Sequence, residues 1–139
     1  MPADAVILIS TFWIGTLVGV SFIATPVKFL VPDLTRPVAL AVGRLTFRYF
    51  SRIEWFLAIL LLGVELVLPG AHWHLSLAGG VGGIVALQSI WLLPVLDRRV
   101  VTIIGGGAVE PSHVHRTYGA LEATKLIALV TLIATSTAH

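Results

Sequence analysis

Long apolar runs dominate the pattern along the chain. The runs over residues 5–27 and 75–96 contain no charged residue, and residues 126–138 are also uncharged. A membrane-spanning helix needs about 20 mostly apolar residues, so the first two runs are long enough by themselves. The third becomes long enough if its helix begins near Tyr118 and includes Glu122 and Lys125. The pattern therefore predicts three membrane-spanning helices.

A fourth apolar run, residues 53–68, is shorter and contains Glu54 and Glu65. We interpret it as the membrane part of a longer helix that begins near Pro37, because proline suits the first turn of a helix. The alternative is a helix that lies on the membrane surface. The two glutamates are eleven residues apart, which places them on one helix face directed into the bundle.

Four such helices with short connections predict an all-α fold, an integral membrane up-and-down four-helix bundle. One domain covers residues 1–139. Its predicted spans lie at about residues 5–27, 50–69, 74–96 and 118–138.

Composition agrees with a membrane protein and excludes several other classes. Hydrophobic residues make up 57% of the 139 positions and charged residues 12%, and the mean hydropathy is +0.97. Nine basic and seven acidic residues form no basic binding face, so nucleic acid is not an expected partner. The chain has no cysteine, which excludes disulfides and thiol catalysis. No metalloprotease, phosphate-loop or serine-triad motif is present, which favours a role other than that of an enzyme.

Basic residues predict the orientation, because short cytoplasmic connections are enriched in lysine and arginine. The second connection has none, and both termini are therefore expected outside the cytoplasm. The first span has no preceding lysine or arginine, which favours an uncleaved span over a signal peptide. We expect a multi-pass protein of a cell membrane, the bacterial inner membrane. The basic residues of the first connection are Lys28, Arg36, Arg44, Arg48 and Arg52, and those of the third are Arg98, Arg99 and Arg116.

The fourth predicted helix carries a polar stripe. His115, Tyr118, Glu122 and Lys125 are spaced by three, four and three residues, which places them on one face. A charge in lipid costs at least about 2.5–3.5 kcal/mol, so Glu122 and Lys125 are expected to turn inward and pair. Glu54 is expected to meet Arg98, Arg99 or Lys125.

This pattern has two interpretations. One is a ligand-binding or ion-binding site at the cytoplasmic half of the bundle, and the other is a purely structural ion pair. The candidate site residues are Glu54, Arg98, His115, Tyr118, Glu122 and Lys125.

Histidine and glycine patterns suggest further sites. His72 and His74 form a candidate metal site, although the sequence identifies no cofactor. The pairs Gly15 with Gly19 and Gly79 with Gly83 have the four-residue spacing of close helix contacts in membranes. They indicate either a homo-oligomer or larger membrane complex, or packing between helices of this chain, and we favour the second.

Several short motifs together suggest a family. They are Phe12-Trp13-x-Gly15, Pro26 with Phe29, Phe47-Arg48-Tyr49-Phe50, Trp91-Leu92-x-Pro94 with Arg98, and His115 before the last helix. With these motifs the chain resembles the transmembrane-protein-205-like family, small four-helix membrane domains of unknown function. The resemblance implies the fold and no reaction.

Three functions remain open at this point. The first is a small membrane protein that transports or binds a small molecule or ion through a polar cavity at its cytoplasmic half. The second is an auxiliary or assembly subunit of a larger membrane complex. The third is a histidine-dependent metal or haem redox protein. We favour them in that order.

Overall fold

The computed structural model describes residues 2–67 and 71–138, and over these residues the regular structure is helical. The all-α prediction is confirmed. Four helices are formed within the described residues. Helix α1 comprises Pro2–Leu17, a π-helical segment Val18–Ala24 and the short pieces Thr25–Val27 and Lys28–Leu30. Helix α2 is Arg36–Val67. Helix α3 comprises His72–Leu87, a π-helical segment Gln88–Leu92 and Leu93–Ile104, and α4 is Val114–Ser136.

Three of the helices are long and apolar enough to cross a membrane. They are α1 over Ala3–Leu30, α3 over His72–Ile104 and α4 over Val114–Ser136. Helix α2 is 32 residues long but carries several charges, so a fourth crossing and the predicted span limits stay predictions. The predicted end of the second span at residue 69 lies outside the described residues.

The helices form a closed ring in chain order. Each helix packs on its neighbours in the sequence, and α4 returns to pack against α1. Helices α2 and α4 therefore lie diagonally opposite each other. Long side chains from these two helices can meet at the centre of the bundle.

The inward face of α4 follows the alternating three-and-four spacing of bundle cores. Its buried positions are Tyr118, Glu122, Lys125, Leu129, Leu132 and Ser136. The same spacing places apolar side chains such as Trp13, Leu61 and Val85 in the core. The polar residues of α4 thus occupy core positions, while large apolar side chains cover much of the outside, as contact with lipid requires.

Both π-helical segments lie directly upstream of a proline. Segment Val18–Ala24 precedes Pro26, and Gln88–Leu92 precedes Pro94. Proline has no N–H and its ring clashes with the carbonyl four residues earlier, so the preceding turn cannot keep regular α-helical hydrogen bonds. A wider turn accommodates it.

Within residues 2–67 and 71–138 the glycine pairs do not mediate contacts between helices, and our favoured interpretation of them was wrong. A Cβ atom added at Gly15, Gly19, Gly79 or Gly83 would meet no atom of another element within 4 Å. These positions lie on open outer surfaces of α1 and α3. The helices approach each other through larger side chains instead.

Candidate functional site

Three charged side chains meet at the centre of the bundle. Glu54 is 1% exposed, and Glu122 and Lys125 are 0% exposed. Lys125 Nζ lies 2.6 Å from Glu122 Oε1 and also donates a hydrogen bond to Glu54 Oε1. The predicted pairing of Glu122 with Lys125 is confirmed. We call these three residues the buried ion cluster.

Neutral donors from two other helices complete the buried ion cluster. Trp13 of α1 donates its Nε1–H to Glu54 Oε1 over 3.0 Å. Ser21 of α1 donates its hydroxyl to Glu122 Oε2 over 2.7 Å. Gln88 of α3 donates from Nε2 to Glu122 Oε1 over 2.8 Å. All four helices therefore contribute, and both Ser21 and Gln88 belong to π-helical segments.

A cavity of about 370 Å³ lies beside the cluster, between the ends of all four helices. Ser51 and Tyr118 lie in its wall, one helical turn before Glu54 and Glu122 respectively. We call it the basic cavity. Its charged or polar lining residues include Lys28, Arg44, Arg48, Asp97, His115 and Tyr118, and its apolar ones include Phe29, Phe47, Leu93 and Pro94.

Two of the three lysine and arginine side chains that line the basic cavity are already paired. Arg44 contacts Asp97 through two hydrogen bonds, with Nη2 lying 3.0 Å from Oδ2. Arg48 Nη2 lies 3.5 Å from Asp97 Oδ1. The lining thus contains one carboxylate, that of Asp97, against three lysine and arginine side chains, and it carries excess positive charge.

Lys28 is the third cation, and it has no carboxylate within 4 Å in the described part of the chain. Its Nζ lies 5.2 Å from the ring centroid of Phe29 and 6.0 Å from that of Phe47, which suits a cation–π contact. The ammonium sits against Gly43, where an added Cβ would lie 2.1 Å from Nζ. An alanine at position 43 would therefore force the flexible end of the Lys28 side chain to move.

Tyr118 lies between the buried ion cluster and the basic cavity. It packs edge-on against Phe47 with ring centroids 5.3 Å apart and is 4% exposed. Its buried hydroxyl makes no hydrogen bond within residues 2–67 and 71–138. A buried hydroxyl without a partner is costly, so this group is a candidate ligand contact.

The predicted site residues lie in three different places in the structure. Glu54, Glu122 and Lys125 form the buried ion cluster, whereas His115 and Tyr118 line the basic cavity. Arg98 belongs to neither, because its side chain is exposed and donates to the Pro94 carbonyl over 3.3 Å. Of the partners expected for Glu54, Lys125 is the one that it meets.

Sequence reasoning missed Trp13, Ser21 and Gln88 as donors to the buried ion cluster. It also missed Lys28, Arg44, Arg48 and Asp97 as residues of the basic cavity. Gln88 offered a signal, because it is a lone amide in a long apolar run. Trp13 and Ser21 gave none, because tryptophan and serine are ordinary residues in membrane helices. Lys28 was assigned to the orientation signal alone.

The candidate metal residues His72 and His74 point to different environments. His74 is buried, its Nε2 lies 3.1 Å from Thr135 Oγ1, and its Nδ1 lies 3.9 Å from Glu65 Oε1. His72 is exposed. Over the described residues, no group of three histidine, aspartate or glutamate side chains is placed to hold a metal ion.

Comparison with known families assigns the chain. Residues 8–100 match a domain of unknown function, DUF4149, over about two thirds of the sequence. The chain belongs to the DUF4149 family. No curated protein and no solved structure matches it.

The DUF4149 match covers most of α1, all of α2 and most of α3. It therefore includes Trp13, Lys28, Glu54 and Gln88, which contribute to both regions of the site. Helix α4 lies beyond the match, and with it Lys125 and Glu122. In this DUF4149 protein, Glu54 and its donor Trp13 therefore lie in the matched region, and Lys125 lies outside it.

Proposed function

We propose that this small helical membrane protein binds a small anionic molecule in the basic cavity, and that it carries or presents this ligand at the membrane. The cavity lies at the end of the bundle that we expect to face the cytoplasm. The observation that carries the proposal is Lys28, an ammonium group in the cavity wall without a carboxylate partner in residues 2–67 and 71–138.

The lining of the basic cavity supports an amphiphilic anion. Three cations and the Tyr118 hydroxyl provide polar contacts, and Phe29, Phe47 and Leu93 provide apolar ones. Ligand sites commonly combine apolar walls with a few converging polar groups. Its volume of about 370 Å³ lies within the range of small-molecule pockets.

The first test removes the Lys28 charge. We expect Lys28→Met to weaken binding of an anionic probe by about tenfold or more, because hydrogen bonds to charged groups contribute about 1.5–3 kcal/mol. The probes are inorganic phosphate and phosphatidylglycerol, which separate a free anion from a lipid head group. Native mass spectrometry of the purified protein measures bound probe and any co-purifying small molecule.

Two matched variants control this test. Arg52→Met removes a cation of α2 that lies over the Tyr49 ring and outside the cavity lining, so it should leave binding unchanged. Gly43→Ala should displace the Lys28 ammonium and weaken binding, whereas Gly63→Ala, on the same helix with open space, should not. Equal binding by wild type, Lys28→Met and Gly43→Ala would refute the proposal.

A second candidate function is an auxiliary subunit of a larger membrane complex. The observation that favours it is the open glycine surface at Gly15, Gly19, Gly79 and Gly83, where another helix could approach closely. The same mass spectra distinguish the two functions. A retained protein partner or second copy supports assembly, and a retained small anion supports the cavity.

Two finer assignments also belong to the proposal. We place the DUF4149 chain near the transmembrane-protein-205-like domains because of the Phe12-Trp13 and Trp91-Leu92-x-Pro94 motifs, and we place it in the bacterial inner membrane. The third alternative, a metal or haem role for His72 and His74, gains no supporting contact from the described residues, since one ring is buried and the other is exposed.

A further inference from the structure

The buried ion cluster has unequal numbers of acids and bases. Two carboxyl groups, those of Glu54 and Glu122, contact one ammonium group, that of Lys125. If every group were ionised, the cluster would carry one net negative charge at almost zero exposure. A net charge in a low-dielectric interior is strongly unfavourable, and buried groups change their protonation to avoid it.

No other charged group offsets this excess. The residues that face the cluster from α1 are Trp13 and Ser21, and Gln88 faces it from α3. None of these three ionises in the relevant range. From α4 the one further titratable neighbour is Tyr118, whose neutral hydroxyl cannot supply positive charge. Within the described chain, Lys125 is the cluster's sole counter-charge.

Hydrogen bonding also differs between the two acids. Glu122 accepts from Lys125, Gln88 and Ser21, using both oxygens. Glu54 accepts from Lys125 and Trp13, both at Oε1. No donor in the described chain reaches Oε2 of Glu54. This oxygen is therefore the position where a proton disturbs no existing hydrogen bond.

We propose that the buried ion cluster is a proton-binding site that holds one exchangeable proton, shared between Glu54 and Glu122 and residing mainly on Glu54. With this proton the cluster is neutral: one lysine cation, one carboxylate and one carboxylic acid. The site belongs to the coupled group of three residues rather than to any one of them. It does not depend on the identity of the cavity ligand.

The position of Tyr118 connects the proton site to the basic cavity. Its unpartnered hydroxyl is buried, it lines the cavity, and its backbone carbonyl accepts a hydrogen bond from Gln88 at 3.4 Å. Gln88 in turn contacts Glu122. The cluster thus has a polar neighbour on the cavity side, while the core beyond Lys125 on α4 continues with Leu129 and Leu132.

Infrared spectroscopy tests the proposal without a ligand. A protonated carboxylic acid has a C=O stretch that a carboxylate lacks, and an exchangeable one shifts in D₂O. The measurement uses the full chain with Glu65→Gln, because Glu65 is the other carboxyl side chain that is buried among the described residues. We expect one acid C=O band per molecule near neutral pH, with a shift in D₂O.

Variants of the buried ion cluster then test whether its two glutamates share a single proton. In the Glu65→Gln background, either Glu54→Gln or Glu122→Gln should abolish the band, because one carboxylate then balances Lys125. Both variants keep the shape of the side chain. A band that only one of the two substitutions removes, or that neither removes, overturns a shared proton. Absence of the band from the Glu65→Gln protein itself overturns the proposal even if the cluster variants fail to fold.

Discussion

Tyr118 is a residue for which we expect opposite effects on folding and on binding. Its ring is well packed against Phe47, but its hydroxyl is buried without a hydrogen bond in the described structure. In the folded protein alone this group is a cost of roughly 1–3 kcal/mol. In a complex with an anion in the basic cavity, the same hydroxyl gains an acceptor.

We therefore predict that Tyr118→Phe raises the free energy of unfolding by about 1 kcal/mol or leaves it unchanged. The same variant should bind phosphate or phosphatidylglycerol several-fold less tightly. Denaturant unfolding and probe titration measure the two effects. If Tyr118→Phe loses stability and keeps its affinity, the hydroxyl has a structural partner and no role in binding.

At this scale the sequence predicts local pairs well and distant ones poorly. Glu122 and Lys125 are three residues apart on one helix, so their contact follows from helix geometry. The contact of Glu54 with Trp13 joins residues 41 positions apart and depends on how α1 packs against α2. Nothing in the local pattern encodes that packing.

Among the helices, α4 depends most clearly on a regular spacing of its buried positions. Its inward face alternates steps of four and three residues from Tyr118 to Ser136, and polar and apolar side chains share it. The hydrophobic pattern identified this helix, but its polar core positions made its beginning unclear. The helix begins at Val114, one turn before the predicted start of the span near Tyr118.

The inward face of α4 predicts a contrast between two similar substitutions. Leu129 is 0% exposed in the core, whereas Ile127 is 68% exposed on the outer surface. Leu129→Ala should lower the free energy of unfolding by about 2–5 kcal/mol, because it leaves a cavity. Ile127→Ala, facing lipid, should cost much less. Unfolding in detergent checks both, and equal losses would show that α4 is oriented differently.

The π-helical segments are the part of the helical structure that the sequence does not predict. A proline signals that regular helical hydrogen bonding is interrupted, as it is beside Pro26 and Pro94. The sequence does not show whether the helix kinks at the proline or forms a wider, π-helical turn before it. The outcome depends on packing against α2 and α4. Ser21 and Gln88 reach Glu122 from these wider turns, so the sequence alone does not predict their contact with this acid.

For the molecule as a whole, the distribution of basic residues sets its expected orientation. Lys28, Arg44, Arg48 and His115 gather at one end of the bundle, around the basic cavity. If the positive-inside rule holds, this end faces the cytoplasm and the cavity opens there. The ligand would then come from the cytoplasm or the inner leaflet.

Reporter fusions test this orientation. A reporter joined after Arg99 should be active as a cytoplasmic fusion, and one joined after His139 as an extracytoplasmic fusion, because the two positions lie on opposite sides of the last crossing. Cytoplasmic activity at His139 would reverse the orientation. The same activity at both positions would contradict the crossing of α4.

The two wider turns in α1 and α3 also affect how the chain can change in length. A π-helical turn accommodates one residue more than the α-helical turn that it replaces. Deleting one residue from 18–24 or 88–92, together with replacing the following proline, Pro26 or Pro94, by alanine, would let that turn close to α geometry while the flanking helix keeps its facing residues. Such a deletion should leave the bundle folded. It should also remove one hydrogen-bond donor from Glu122, and so weaken the buried ion cluster.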